Sequence, residues 1–198
     1  AGAYVNIGLI HGEAGRVDRA VESLDTAIDM LGPAASDEDS RLLGAALLNR
    51  AQAHQAAGDD DALDAATTDY QSAIVVLSAE SPQAAMAWHG LGTALVERAA
   101  RDPHASLEDA ISAFGHALAV FGPVSYPFQH AIAKHSLAIA FERRCQSGDL
   151  ARALDCLEAS LSVFDPRLHG PQWQTAVDAL GRVERALDDT EGPTLGTG

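Results

Sequence analysis

The 198-residue chain is 47% hydrophobic and carries a formal net charge of −15, with 13 Lys and Arg against 28 Asp and Glu. So acidic a chain, with no basic stripe to neutralise phosphates, does not suit nucleic acid, while a basic or peptide partner is electrostatically easier. The apolar content is too high for disorder, no run of 18 apolar residues spans a membrane, and no secretory leader is visible.

Taken in chain order, the sequence repeats itself four times. Each segment has a helix with a small residue at its centre, a turn with Gly or Asp, and a second helix ending near Pro. The first segment, residues about 1–34, has its stations at Tyr4, Ile7, Gly8, His11, Gly15, Ala20, Leu24, Ala27 and Pro33. The second, about 40–82, has Leu47, Arg50, Ala51, His54, Gly58, Ala66, Tyr70, Ala73 and Pro82. The third, about 83–123, has Trp88, Leu91, Gly92, Leu95, Ala110, Phe114, Ala117 and Pro123. The fourth, about 126–167, has Lys134, Leu137, Ala138, Phe141, Gly148, Ala153, Leu157, Ser160 and Pro166. Asp59 to Asp61, Ser106 and Asp149 fall where the second helices need N-caps. After Pro171, residues 171–187 read as one more amphipathic helix with Trp173, Val177, Leu180 and Leu187 turned inward, a natural end cap. The Gly/Thr-rich end, 188–198, reads as a flexible tail. Tyr4 already stands at a station of the first repeat, so the chain either starts at its first helix or has been cut from a longer protein.

The alanines at 20, 66, 110 and 153 recur with spacings of 46, 44 and 43 residues. Gly8, Ala51, Gly92 and Ala138 are likewise equivalent. A glycine within a helix costs about 1 kcal/mol against alanine, and a helix keeps one where another backbone or side chain must come close. The small residue at each centre therefore marks the point where the two helices of a pair cross.

With these stations the chain resembles the tetratricopeptide repeat (TPR) family, most closely at Gly8, Ala20, Leu24 and Ala27 and in "WHGLGTAL" with "AISAFGHAL". The resemblance covers roughly residues 1–166 and implies an all-α solenoid of four antiparallel helix pairs plus a C-terminal capping helix, residues 1–187 forming a single domain. The family's usual period is about 34 residues, whereas here it is 43 to 46, similar to longer variants in some bacterial multi-repeat proteins. The extra length is expected in the turns of repeats two to four and in the connection "PAASDEDSRLL".

The resemblance also implies a concave groove, lined by first helices, that would hold a ligand at Asn6, Leu9, Asn49, Gln52, His89, Thr93, His135 and Ile139. In peptide-binding members an Asn at the places of Asn6 and Asn49 hydrogen-bonds an extended peptide, an amide supplying both donor and acceptor. The equivalent places in repeats three and four are Gly90 and Ser136, so that ladder stops halfway. The clamp that some members use for a terminal carboxylate is not recognisable, since Lys134 and Arg143 do not match it.

Chemistry is sparsely supported. His11 and His54 are equivalent and read as partly buried structural residues with one polar tip satisfied. His130 and His135 stand five apart, about 140° around a helix, and make no chelating pair. No His-Glu-x-x-His and no Cys-x-x-Cys occurs, so no metal is expected, and Asp59, Asp60, Asp61 and Asp64 read as a solvated, helix-capping turn rather than a calcium loop. There is no Gly-x-Ser-x-Gly elbow and no phosphate-cradling glycine loop. Cys145 and Cys156 make no disulfide framework, which points to a reducing cytoplasm. The expected function is thus a non-catalytic scaffold or adaptor, without cofactor, that binds an unknown protein or peptide. A regulatory sensor of a signalling peptide or small molecule, and more remotely a helical enzyme subunit, are its rivals. Self-association through the end repeats is compatible with all three.

Overall fold

The computed structural model describes residues 1–33, 36–102, 105 and 107–191. Its regular structure is α-helical throughout: α1 (Gly2–Glu13), α2 (Val17–Leu31), α3 (Asp37–Ala57), α4 (Asp60–Val76), α5 (Pro82–Ala99), α6 (Glu108–Val120), α7 (Pro127–Arg144), α8 (Asp149–Leu161) and α9 (Gly170–Glu191). The chain divides into two compact units, Ala1–Val120 and a second that begins at Phe121. In the first unit α1 packs on α2, α3 on α4 and α5 on α6, while α2 also packs on α3, α4 on α5, and the first helices α1, α3 and α5 touch in succession. In the second unit α7 packs on α8, and α9 lies against both.

Helix starts follow from local chemistry. Ser36 accepts the Asp39 N–H at 3.1 Å and donates to the Asp39 carboxylate at 2.7 Å, and Asp37, Glu38 and Asp39 place negative charge in the first turn of α3. Asp59 caps α4 by accepting from the Ala62 N–H at 2.8 Å, and Ser81 caps α5 with Pro82 in its first turn. Ser106 lies outside the described residues. Asp149 is not an N-cap: Gly148 holds that position with a left-handed φ of 82°, and Asp149 is the first helical residue.

The extra repeat length is mostly helix rather than turn. Because Ser36 caps at that point, "DEDSRLL" forms the first turns of a 21-residue α3 instead of a connection. Only Gly58 and Asp59 separate α3 from α4, so most of "GDDDALDAAT" is helical as well. In the third repeat the described residues 100–102, 105 and 107 lie outside α5 and α6, and in the fourth residues 145–148 separate α7 from α8.

The repeating small residues sit where helices cross. Ala20, Ala66, Ala110 and Ala153 are all 0% exposed. A Cβ added to Gly8 would lie 2.5 Å from Cγ of Leu24 in α2, and one on Gly92 would lie 2.7 Å from Cε1 of Phe114 in α6. Both are far inside van der Waals contact, so each glycine is the space its partner's side chain occupies. Ala51 and Ala138 are buried at the equivalent places in α3 and α7.

In α9 the inward stripe runs one step aside from the expected one. Ala176, Ala179 and Val183 are fully buried, and Trp173, Val177, Leu180 and Leu187 flank them half-buried. Small residues allow the axes to approach along the contact line, and the larger side chains fill the space on either side. The helix continues to Glu191, past the expected end at 187. No helix among the described residues is long and apolar enough to cross a membrane.

Candidate functional site

The first-helix face of the first unit brings together three of the expected groove residues. Leu9 of α1 with Asn49 and Gln52 of α3 line a hollow of about 240 Å³, floored by Gly8 and Ala53 and edged by Glu13. Leu9 and Gln52 are exposed and Asn49 is half-buried, so the hollow offers one apolar wall and two amides. The Asn49 amide can donate to a peptide carbonyl and accept from a peptide N–H at the same time. Asn6 is exposed on α1 and does not line the hollow.

On α5 the neighbouring stations have a different use. The His89 ring turns onto Phe114 of α6, with ring centres 5.6 Å apart, and burial pushes its pKa down to about 4. Thr93 donates its hydroxyl to the His89 carbonyl at 3.0 Å, a local bond along the helix. Gly90 stands where the first two repeats have Asn6 and Asn49, and a Cβ there would run into the ring of Tyr70 from α4. The Tyr70 hydroxyl donates to Gln55 Oε1 at 2.9 Å, and Gln55 Nε2 donates to Glu97 at 2.8 Å, which ties α4, α3 and α5 together. Burial raises the Tyr70 pKa, helped by Glu97 and Asp69. Between α3 and α5 the polar groups thus already satisfy one another.

In the second unit, His135 and Ile139 lie half-buried on α7. His135 Nε2 is buried with no hydrogen-bond partner, and burial lowers the pKa of the ring despite the Thr175 backbone of α9 beside it. In the first unit His11 is half-buried on α1 with its Nδ1 unbonded.

Two features escaped the sequence reading. The first is an ion cluster. Arg50 grips Asp69 through two hydrogen bonds of 2.9 and 2.6 Å and reaches Asp25 with its remaining nitrogen, while His54 Nε2 stands 3.8 Å from the same Asp69. One guanidinium therefore joins α2, α3 and α4, and its pKa is raised chiefly by the bond to Asp69. The signal was present: Arg50 occupies a station that is Ile7, Leu91 and Leu137 elsewhere, and a charge there needs partners. The second feature is a larger hollow of about 600 Å³ between α4 and α6 over α5. There the Trp88 and His116 rings stack at 4.4 Å, with Thr67, Thr68, Ser112 and Arg98 around them.

In α8 a second buried pair takes shape. Asp149, 1% exposed, accepts from Arg144 at 2.8 and 2.7 Å and from the Gln146 N–H at 2.9 Å. The bond from Arg144, more than any other influence, holds that carboxyl below its usual range. Among the described residues no three His, Cys, Asp or Glu side chains converge as a metal site would require. Cys145 is exposed and Cys156 buried, both as free thiols. Compared with known proteins, the chain matches no family model and no curated protein sequence.

Proposed function

We propose that this chain is a TPR-like α-solenoid acting as a non-catalytic interaction module, and that it holds an extended peptide segment against the first-helix face of its first unit. The observation that carries the reading is the convergence of Leu9, Asn49 and Gln52 on one hollow. Its volume suits a single apolar side chain of the partner, and the two amides suit the adjoining peptide group. The packed succession of α1, α3 and α5 supports it, because a preformed surface loses little entropy on binding. The departure at Gly90 limits the amide ladder to its first two rungs and predicts modest affinity. The free, exposed Cys145 suits a reducing compartment such as the cytoplasm.

A peptide library displayed on phage and selected against the chain tests this. Selected peptides should bind an Asn49→Ala/Gln52→Ala variant about tenfold more weakly, equivalent to roughly 1.4 kcal/mol. Equal binding by both would refute the groove. The rival reading, a sensor of a small molecule, is favoured by one observation, the larger hollow with its stacked Trp88 and His116. Peptides or compounds whose binding is lost with Trp88→Ala and kept in the Asn49/Gln52 variant would favour it.

A further inference from the structure

The hollow at Leu9, Asn49 and Gln52 is a gap that the next repeat closes. Between α3 and α5 the equivalent space is crossed by the Tyr70 hydroxyl, the Gln55 amide and the Glu97 carboxylate, bonded in a row at 2.9 and 2.8 Å. In the register of the repeat, Leu24, Gly12 and Ala56 hold the places of Tyr70, Gln55 and Glu97. Each is shorter and none has a polar side chain, so the space between α1 and α3 stays open. Gln55 reaches forward onto α4 and α5, and Gly12, in its register, lines the side of α1 that faces α3. The hollow is therefore bounded by α1, α2 and α3 and owes nothing to the outer face of α1.

The fold does not need Gly12 to be small. Gly8, Gly90 and Gly92 each leave room for a side chain of another helix, whereas a Cβ on Gly12 would meet nothing within 4 Å. A helical glycine is less favourable than alanine, so the fold alone would be better served by a larger residue. Beside it Glu13 is exposed, is the one charged side chain at the hollow, and has no ion-pair partner among the described residues. The Asn49 and Gln52 amides make no side-chain hydrogen bond among those residues either. From this we infer that Gly12 is kept small for the ligand. Resting on the peptide reading above, the bound segment seats an apolar side chain over Gly12, against Leu9, Val17 and Ala53, and carries next to it a Lys or Arg that pairs with Glu13. Charge selects that neighbour. The single charge at the hollow is negative and the chain bears −15, so a basic residue is drawn to the rim and an acidic one repelled. So exposed a pair sets sequence preference more than affinity.

Selection of a random peptide library, displayed on phage, against the chain and its variants tests this. Wild type should enrich sequences in which Val, Leu, Ile or Met stands beside Lys or Arg. Gly12→Gln, which installs the residue found one repeat on, should lose that motif. Glu13→Lys should exchange the basic residue of the motif for Asp or Glu. Against a synthetic peptide carrying the enriched motif, Gly12→Ala should bind about fivefold more weakly, yet melt about 2 °C higher. Gly115→Ala, at a helical glycine of α6 where a Cβ also meets nothing within 4 Å, should gain as much stability and leave binding unchanged. The same motif from the Gly12→Gln selection, a basic residue retained with Glu13→Lys, or a Gly12→Ala chain that melts lower would each overturn the inference. Binders that depend on Asn49 and Gln52 but share no such motif would overturn it and leave the peptide groove standing. No binders at all would overturn both.

Discussion

Helices α1 and α9 differ in how far the chain itself completes them. Over its 22 residues α9 divides cleanly: Ala176, Ala179 and Val183 are buried, and Asp178, Arg182, Glu184, Arg185 and Asp188 face water. In α1 only Val5 and Gly8 are buried, and Tyr4, Ile7, Leu9 and Ile10 are all exposed. An amphipathic helix is finished once its one apolar face is covered, whereas a helix that is apolar on several sides stays open to further contact. The arrangement of apolar residues around a helix therefore tells whether the fold has satisfied it, and their number alone does not.

The sharpest way to break this contrast is to place a charge on each helix. Val183→Asp should cost about 4 kcal/mol or more, because an unpaired carboxylate would be buried between α7, α8 and α9. Urea unfolding monitored by circular dichroism measures it, and a loss below about 1 kcal/mol would show that α9 is not seated as described. Acid probes the sealed faces next. His89 is held neutral by burial, with its folded pKa of about 4 below an unfolded value near 6.5. Its contribution is therefore complete above pH 6.5 and is lost as the pH falls toward 4, amounting to about 3 kcal/mol. His135, lowered for the same reason, works in the same direction in the second unit. His89→Leu should flatten the acid side of the stability curve of the first unit, and His135→Leu that of the second; parallel curves for variant and wild type would dismiss the burial argument.

Smaller effects follow at the remaining contacts. Gly8→Ala tests the one sealed side of α1: the added methyl group meets Leu24, and a loss of about 1–3 kcal/mol is expected in the same urea assay. Arg182→Ala removes the ion pair of α9 with Glu142, made at 2.7 and 3.0 Å. Because the arginine is about half exposed, the loss should stay below about 1 kcal/mol. Ile10→Asp on α1 should change the stability of the chain by less than about 0.5 kcal/mol. A large effect there would mean that α1 packs on its outer side within its own chain.

Much of the helical order was legible because it rests on sterics that leave a mark in every repeat. Gly8 and Gly92 had to be small for Leu24 and Phe114 to fit, and the four buried alanines follow the same rule. Helix length was less legible. "DEDSRLL" looks like a polar connection until Ser36 is seen to be the cap that draws it into α3. Gly90 looks like a missing polar rung, but a residue 20 positions earlier, Tyr70, fills the place, and no local pattern announces so distant a partner. Of the expected groove residues, Leu9, Asn49 and Gln52 share a hollow because neighbouring repeats bring corresponding stations side by side. His89 corresponds to the buried Val5 and Leu48, so its ring turns toward Phe114.

The two tryptophans of the chain fall one in each unit, Trp88 in the first and Trp173 in the second. Trp88 is half-buried against the His116 ring and Trp173 is half-buried on α9, so unfolding changes the surroundings of both indoles. Tryptophan fluorescence, excited where tyrosine does not absorb, is therefore a sum of two optical reporters, and a single substitution isolates either. Trp173→Phe leaves emission from the first unit alone, and Trp88→Phe leaves emission from the second. Melting the two variants side by side would assign each unit its own transition, with no label added to the chain.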